Sequence, residues 1–209
     1  MAFTHDGRKT TEKGGTGMRV GIYGGTFNPI HHGHIALGRQ FLMAADLDQV
    51  WYVVSPQNPF KVGERLLDDD QRLLMVERAL ENEPQLLASD YEFHLPKPSY
   101  MWHTLQSMSH TYPDVEFTLL IGGDNWTRFH HWYHYEDILA HYRIAVYPRQ
   151  DAPIDPATLP ENVMLVSAEL LDISSTEIRR LIREDKPYRH LVPTVVADLI
   201  EEKGWYVKE

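Results

Sequence analysis

Gly24-Gly25-Thr26-Phe27-Asn28-Pro29-Ile30-His31-His32-Gly33-His34 is the stretch on which the fold turns. Before it stands Arg19-Val20-Gly21-Ile22-Tyr23, a short apolar run that reads as a buried strand. After it, Ile35-Ala36-Leu37-Gly38-Arg39-Gln40-Phe41-Leu42 reads as a helix. A strand that ends in glycines and turns into a helix gathers free backbone N–H groups and the positive end of a helix dipole at one point. Such a point is a seat for phosphate. Gly24 and Gly25 let an anion approach the backbone with no Cβ in the way. Pro29 stiffens the loop before the helix. His31 and His34, three apart around the first helical turn, can face one side and donate to one anion.

The loop matches neither of the commoner phosphate loops. A Walker A loop needs Gly-Lys followed by Ser or Thr, and no lysine here follows a glycine. A dinucleotide fingerprint needs Gly-x-Gly-x-x-Gly, a spacing that Gly21, Gly24, Gly25 and Gly33 do not make. A histidine pair stands in their place. A lone histidine at a helix start reads as a cap or a turn filler; two with Gly33 between them, after Gly-Gly-Thr, favour phosphate work. Zinc is the weaker option, because neither Cys nor an acidic residue stands among His31, His32 and His34. The run resembles the His-x-Gly-His motif of the nucleotidyltransferase superfamily, in its Gly-Gly-Thr-Phe-(Asp/Asn)-Pro-x-His-x-Gly-His form. Within that superfamily it is most similar to the bacterial nicotinate-nucleotide adenylyltransferases. Asn28 stands where Asp is usual, and His32 occupies the variable position.

At 209 residues the chain is long enough for a substantial core, and one α/β domain is the simplest count. No run of about 18 apolar residues spans a membrane, and no basic-then-apolar leader is visible. The chain has no Cys, which removes disulfides and thiolate metal sites and fits a cytoplasmic protein. A formal charge of −10 argues against a nucleic-acid polymer as partner, since a polyanion needs a basic face. A small phosphorylated ligand asks only for local donors.

Residues 1–17 are polar and glycine-rich and read as a tail ahead of a folded region over 18–209. Val50-Trp51-Tyr52-Val53-Val54 reads as a second buried strand, and Pro56 and Pro59 keep the loop after it out of helix. Asp68-Asp69-Asp70 reads as the cap of a helix over 71–80 whose apolar stripe is Leu73, Val76 and Leu80. A short strand is expected around 86–93, and a helix from Lys97 to about His110. Val115 to Ile121 is the cleanest strand, and Asp124 just beyond it suits ribose hydroxyls at the carboxyl end of a parallel sheet. His130 and His134, four apart, could share a metal on a helix, though no Glu follows the first His as the metalloprotease motif requires. Strands are expected at 143–147 and 162–166, with a Pro- and Asp-rich loop over 148–160 between them. Ser174 with Glu177 makes a capping box, and the hydroxyl-rich helix start followed by Arg179 is also a phosphate seat. A closing helix ends at Gly204.

Several of these stretches match the family in order, from Met18 to Tyr206. The resemblance implies a Rossmann-like, doubly wound α/β fold: a mostly parallel sheet with helices on both faces and a small C-terminal helical segment. It implies adenylyl transfer from ATP to nicotinate mononucleotide, with Mg²⁺ carried mainly by the nucleotide and water. His31 and His34 become the catalytic pair, and Gly24, Gly25, Thr26 and Phe27 the loop around ATP. Gly122 and Asp124 match the family's ribose-binding Gly-x-Asp, while Ser175, Thr176 and Arg179 match its phosphate-binding Ile-Ser-Ser-Thr-x-Ile-Arg. On the acceptor side Asn58 and Lys61 match Asn-Pro-Pro-His-Lys, with Phe60 in place of its His, and Arg72 matches a family arginine. Ser99 and Tyr100 match the Pro-Ser-Tyr-Thr-x-Asp motif beside the pyridine carboxylate, from which Met101 and His103 depart. Trp132, eight residues after Asp124, matches the tryptophan that stacks on the pyridine ring. A phosphopantetheine adenylyltransferase or a cytidylyltransferase would share the first motif but would not call for Ser99, Tyr100 and Trp132 as a pyridine clamp. A nucleotide-binding regulator would bind ATP without releasing pyrophosphate, and a histidine-metal hydrolase would need its metal. A homo-oligomer is compatible with all of them.

Overall fold

The runs of β-branched and aromatic residues form strands buried on both faces, as a parallel sheet requires. In the computed structural model, which describes residues 17–56, 66–148, 154–167 and 171–207, six such strands make one sheet. They are β1 (Met18–Gly25), β2 (Gln49–Val54), β3 (Leu86–Ser89), β4 (Val115–Gly122), β5 (Arg143–Tyr147) and β6 (Val163–Leu165). Their order is β3-β2-β1-β4-β5-β6, and every pairing is parallel. Between them run α1 (His32–Ala44), α2 (Asp69–Leu80), α3 (Met101–Thr111), α4 (Gly123–Thr127) and α5 (Tyr135–His141). The chain closes on α6 (Ser175–Arg183) and α7 (Thr194–Lys203). The doubly wound α/β architecture expected from the sequence is the one observed.

Alternation along the strands sorts the core into two layers. Tyr23, Val50, Tyr52, Val54, Leu120 and Ala145 face a layer with buried residues of α1, α2, α6 and α7. Val20, Ile22, Val53, Leu119, Ile121, Ile144 and Val146 face the other, with Leu105 and Met108 of α3 and Ile138 of α5. The close seat of α1 on β2 depends on Gly38, where a Cβ would run into the Tyr52 hydroxyl.

Strand order reverses between β1 and β4: from β1 the chain winds outward through β2 and β3, and from β4 outward through β5 and β6. The carboxyl ends of β1 and β4, at Gly25 and Gly122, therefore border the crevice where such sheets bind ligands.

Local departures from expectation have physical reasons. Helix α1 starts at His32, with His31 as its N-cap in extended conformation, so the motif's last residues belong to the helix itself. The strand after residue 86 stops at Ser89 and gives way to a 3₁₀ turn at Tyr91–His94. Asp68 is the N-cap of α2 without a side-chain capping bond, while Asp69 pairs with Arg72 at 2.6 Å and with Lys97 at 3.2 Å. The buried face of α2 is Arg72, Met75, Val76 and Leu80, and Leu73 is only partly covered. Ser174 caps α6 by accepting from the Glu177 N–H at 3.2 Å, but the Glu177 carboxylate turns to Arg180 instead of closing the box. Gly204 ends α7 in the left-handed conformation, at φ 63°. The expected tail lies outside the described residues apart from Gly17, as do residues 149–153 of the loop over 148–160, in which a 3₁₀ turn forms at Pro156–Thr158. Among the described residues no helix is long and apolar enough to cross a membrane.

Candidate active site

The glycine-rich loop leaves β1 and packs its own side chains beneath the histidines. Phe27 is 2% exposed, and a Cβ on Gly25 would strike its ring. Its ring meets His34 edge-on at 5.1 Å and Tyr52 at 5.5 Å, so Phe27 supports His34 from the core and offers the crevice only its backbone. The His31 and His34 rings lie 3.7 Å apart and 24° from parallel, on one side as the spacing predicted. His31 is buried and His34 half-buried. Gly33 keeps the space between them open, since a Cβ there would sit 3.0 Å from His31 Nδ1 and press on that ring.

The His31 N–H donates to His34 Nδ1 at 3.3 Å. A ring nitrogen that accepts carries no proton, so neutral His34 keeps its proton on Nε2. On the other side of the residue, the His34 carbonyl accepts from the Tyr52 hydroxyl at 2.9 Å. Burial pushes the Tyr52 phenol far above its ordinary value, which keeps it a donor.

Arg72 lies beneath this loop, fully buried. Its Nε donates to the Leu67 carbonyl at 2.9 Å, and Nη1 to the carbonyls of Thr26 at 2.7 Å and Ser55 at 2.9 Å. Nη2 reaches Asp69 at 2.6 Å. Burial pulls the guanidinium down from its usual range, and Asp69 opposes that shift. Arg72 thus braces the turns after β1 and β2 from below. Asn58 and Lys61 lie outside the described residues.

On the α6 side, Ser175 Oγ donates to the Pro29 carbonyl at 2.9 Å, and Arg179 Nη1 to the Asn28 carbonyl at 2.8 Å. Arg179 Nη2 also lies 3.4 Å from the Thr176 hydroxyl, which itself is exposed. The hydroxyl-and-arginine start of α6 is therefore fastened to the His-x-Gly-His loop, some 150 residues earlier in the chain. At the end of β4, Gly122 must be bare: a Cβ would come 2.7 Å from Asp124 Oδ1 and 2.8 Å from the Tyr147 hydroxyl. Asp124 itself is exposed at the start of α4.

Across the crevice, Tyr100 is the N-cap of α3 and Ser99 is buried beside it. Met101 reaches over β1, its terminal methyl 2.8 Å from where a Gly24 Cβ would stand. Tyr133 is the ring packed on Tyr100, at 4.8 Å, while Trp132 lies against Phe129 at 5.3 Å. Behind Ser99 and Tyr100, Glu92 is 1% exposed and accepts from Ser55 Oγ at 2.6 Å and Thr104 Oγ1 at 2.8 Å. Burial pushes its carboxyl above the usual range against those hydrogen bonds.

The helical metal pair imagined for His130 and His134 does not form. His130 and His131 stand in a 3₁₀ turn, and His134 precedes α5 at φ 54°, so no common helix face aligns them. His134 instead bonds Asp137 at 2.5 Å and stacks on Trp102. Among the described residues no three His, Asp or Glu groups gather as a metal site.

Glu92, Asn28, Tyr206 and Tyr52 were not singled out from the sequence. Their roles are long-range contacts of side chains that look ordinary in their own segments. Only the departure at Asn28 marked its place.

A cytidylyltransferase-like family model matches residues 22–181. A Bacteroides thetaiotaomicron protein named "Probable nicotinate-nucleotide adenylyltransferase" is 46% identical over 185 residues, covering 88% of this chain and 92% of its own. A Cytophaga hutchinsonii protein of the same name is 47% identical over 189 residues, covering 90% and 98%. The chain belongs to the nicotinate-nucleotide adenylyltransferase family. The solved Plasmodium falciparum nicotinic acid mononucleotide adenylyltransferase complexed with NaAD shares the fold, with a TM-score of 0.78 at 19% identity, over 90% of this chain and 97% of that one.

Proposed function

We propose that residues 18–209 form one nucleotidyltransferase domain that moves AMP from ATP to nicotinate mononucleotide, giving nicotinate adenine dinucleotide and pyrophosphate. The observation that carries this is the stacked His31–His34 pair, with His34 Nδ1 accepting from the His31 N–H beside a helix N-terminus at the strand-order reversal. Family membership supplies the reaction class.

The reaction needs no protein nucleophile. A 5′-phosphate oxygen of the mononucleotide forms a bond to the α-phosphorus of ATP in line with the bond to the β-phosphate bridge, which breaks. The protein's part is positioning and neutralising charge on the transferring and leaving groups. His34 Nε2–H donates to the phosphate chain, with His31 holding the ring's orientation through its backbone N–H. Arg179 and the N-terminal N–H groups of α6, with Ser175 and Thr176, hold the β- and γ-phosphates as pyrophosphate departs. Asp124 takes the ATP ribose. Ser99 and Tyr100 face the pyridine carboxylate, Trp132 the ring, and Asn58 and Lys61 the mononucleotide. Arg72 acts from beneath, by fixing the turns. Mg²⁺ carried in by the nucleotide would supply further neutralisation of triphosphate charge beside His34 and Arg179. Such an enzyme works in the cytoplasm on small phosphorylated substrates.

Pyrophosphate release from ATP, measured across phosphorylated acceptors with and without Mg²⁺, tests the assignment. Mg²⁺-dependent release with nicotinate mononucleotide, well above phosphopantetheine or CTP-dependent partners, is the expected result. Release with a different acceptor, or ATP binding with no turnover at all, would replace it.

A further inference from the structure

Segments far apart in sequence converge on one neutral side chain. Asn28 is 1% exposed, and its Oδ1 accepts from the Tyr206 hydroxyl at 2.8 Å and from the Leu67 N–H at 3.3 Å. Its main-chain carbonyl accepts from Arg179 Nη1 at 2.8 Å. One residue therefore joins the phosphate loop, the arginine of α6, the chain leading into α2 and the C-terminal segment after α7. Arg72 reinforces the same point, since it donates to the carbonyls of Thr26 and Leu67 on either side of that junction.

Tyr206 is built to hold its bond. It sits at φ 67°, a conformation that non-glycine residues rarely adopt and that only its surroundings can enforce. Burial pushes the phenol well above its ordinary value, opposed by the charges of Arg179 and Arg72 nearby, so the hydroxyl keeps its proton and donates. The acceptor must be an oxygen, because the Leu67 N–H shares it. A side chain at position 28 without that oxygen would strand two buried donors and release the anchor on which Arg179 rests.

We infer that Tyr206 and Asn28 form a positioning pair, by which the C-terminal segment sets the phosphate loop and Arg179 in one geometry for ATP. Neither residue touches substrate. Tyr206 acts through Asn28, and Asn28 through the loop and the guanidinium. This inference rests on the adenylyl-transfer assignment for its kinetic readout and on ATP binding alone for its second.

Tyr206→Phe removes one hydroxyl and keeps the ring. The expected result is turnover lowered about tenfold and ATP affinity weakened about threefold, with KM for nicotinate mononucleotide within about twofold of the parent. Asn28→Asp keeps an acceptor oxygen for both donors and should hold turnover within about threefold, whereas Asn28→Leu should fall at least as far as Tyr206→Phe. Titration of ATP by calorimetry is run on the same proteins. Should the parent prove unable to transfer adenylate, that failure belongs to the assignment of function, and the ATP-affinity ratio still decides the pair. A Tyr206→Phe protein with parental turnover and parental ATP affinity, changed only in melting temperature, would overturn the positioning role.

Discussion

The Tyr52 hydroxyl donates to the His34 carbonyl at 2.9 Å, and Gly38, one helical turn further on, has no side chain so that this hydroxyl can fit. Core packing and the placement of a site histidine thus meet at one oxygen. Gly38→Ala should destabilise the protein by about 1–3 kcal/mol in urea titrations, the usual cost of overpacking a filled core. Adding Tyr52→Phe removes the oxygen nearest the new methyl and should recover part of that loss, so the two changes are not additive. Strict additivity would mean that the helix simply moves outward.

His34→Ala tests the chemistry directly. Removing one preorganised donor from a phosphoryl-type transition state costs on the order of 10²–10³ in turnover. Since His34 is half-buried and its ring rests on Phe27 and His31, circular dichroism and melting should change little. Near-normal turnover in a folded variant would take the histidines out of the mechanism.

Arg72 is expected to be a stability residue whose loss is felt in both halves of the crevice. Its four hydrogen bonds reach three main-chain carbonyls and Asp69. Arg72→Met should cost about 3–5 kcal/mol, because the carbonyls lose their donors and Asp69 its partner. Arg72→Lys should recover little, since an ammonium cannot copy the three nitrogens that reach Leu67, the Thr26 and Ser55 carbonyls, and Asp69. Chemical denaturation of both variants decides; a lysine variant as stable as the parent would reduce Arg72 to a simple charge.

Burial raises the Glu92 carboxyl, so the folded protein holds that proton more tightly than the unfolded chain. The sign follows from linkage: the unfolded state binds fewer protons across this interval, and stability falls as pH rises from the ordinary carboxylate range through the raised value. Above it the cost of a buried charge is constant. Glu92→Gln should remove this component, so its stability relative to the parent improves as pH rises through that window and then levels off. Urea midpoints at a series of pH values measure it. A difference that is flat with pH would place the carboxylate in a better solvated state than its 1% exposure allows.

All six strands were legible, the clearest because fully buried parallel strands must be continuous runs of apolar residues, as Val50–Val54 and Val115–Ile121 are. The loop between β1 and α1 was legible because glycines and a proline mark the turn between an apolar run and a helical one. Helix α1 began earlier than expected since histidine carries little helical signal, and hydrophobic periodicity starts only at Ile35. Arg72 looks like any charged helical residue; nothing local shows that three carbonyls wait for it in the core. The His130–His134 spacing was ambiguous by itself, since a four-residue interval means a shared face only on a helix, and His134 is left-handed. Tyr206 meets Asn28 across the whole fold, a contact that no local pattern encodes.

The acceptor side separates two neighbouring aromatics. Trp132 matches the family's pyridine-stacking position, yet its ring lies on Phe129, and Tyr133 covers Tyr100. Tyr133 is the more exposed of the two, at 46%, and so the freer to turn when a ring arrives. If Trp132 provides the stacking face, Trp132→Ala should raise KM for nicotinate mononucleotide about tenfold, the worth of one aromatic pair, and leave KM for ATP alone. Tyr133→Ala should then have the smaller effect on KM, because it removes a cover and not the face. The reverse order would move the clamp one residue along the chain, onto the ring that already rests against Tyr100. Steady-state kinetics with each substrate varied in turn distinguishes the two, since a general loss of folding would raise both Michaelis constants or neither.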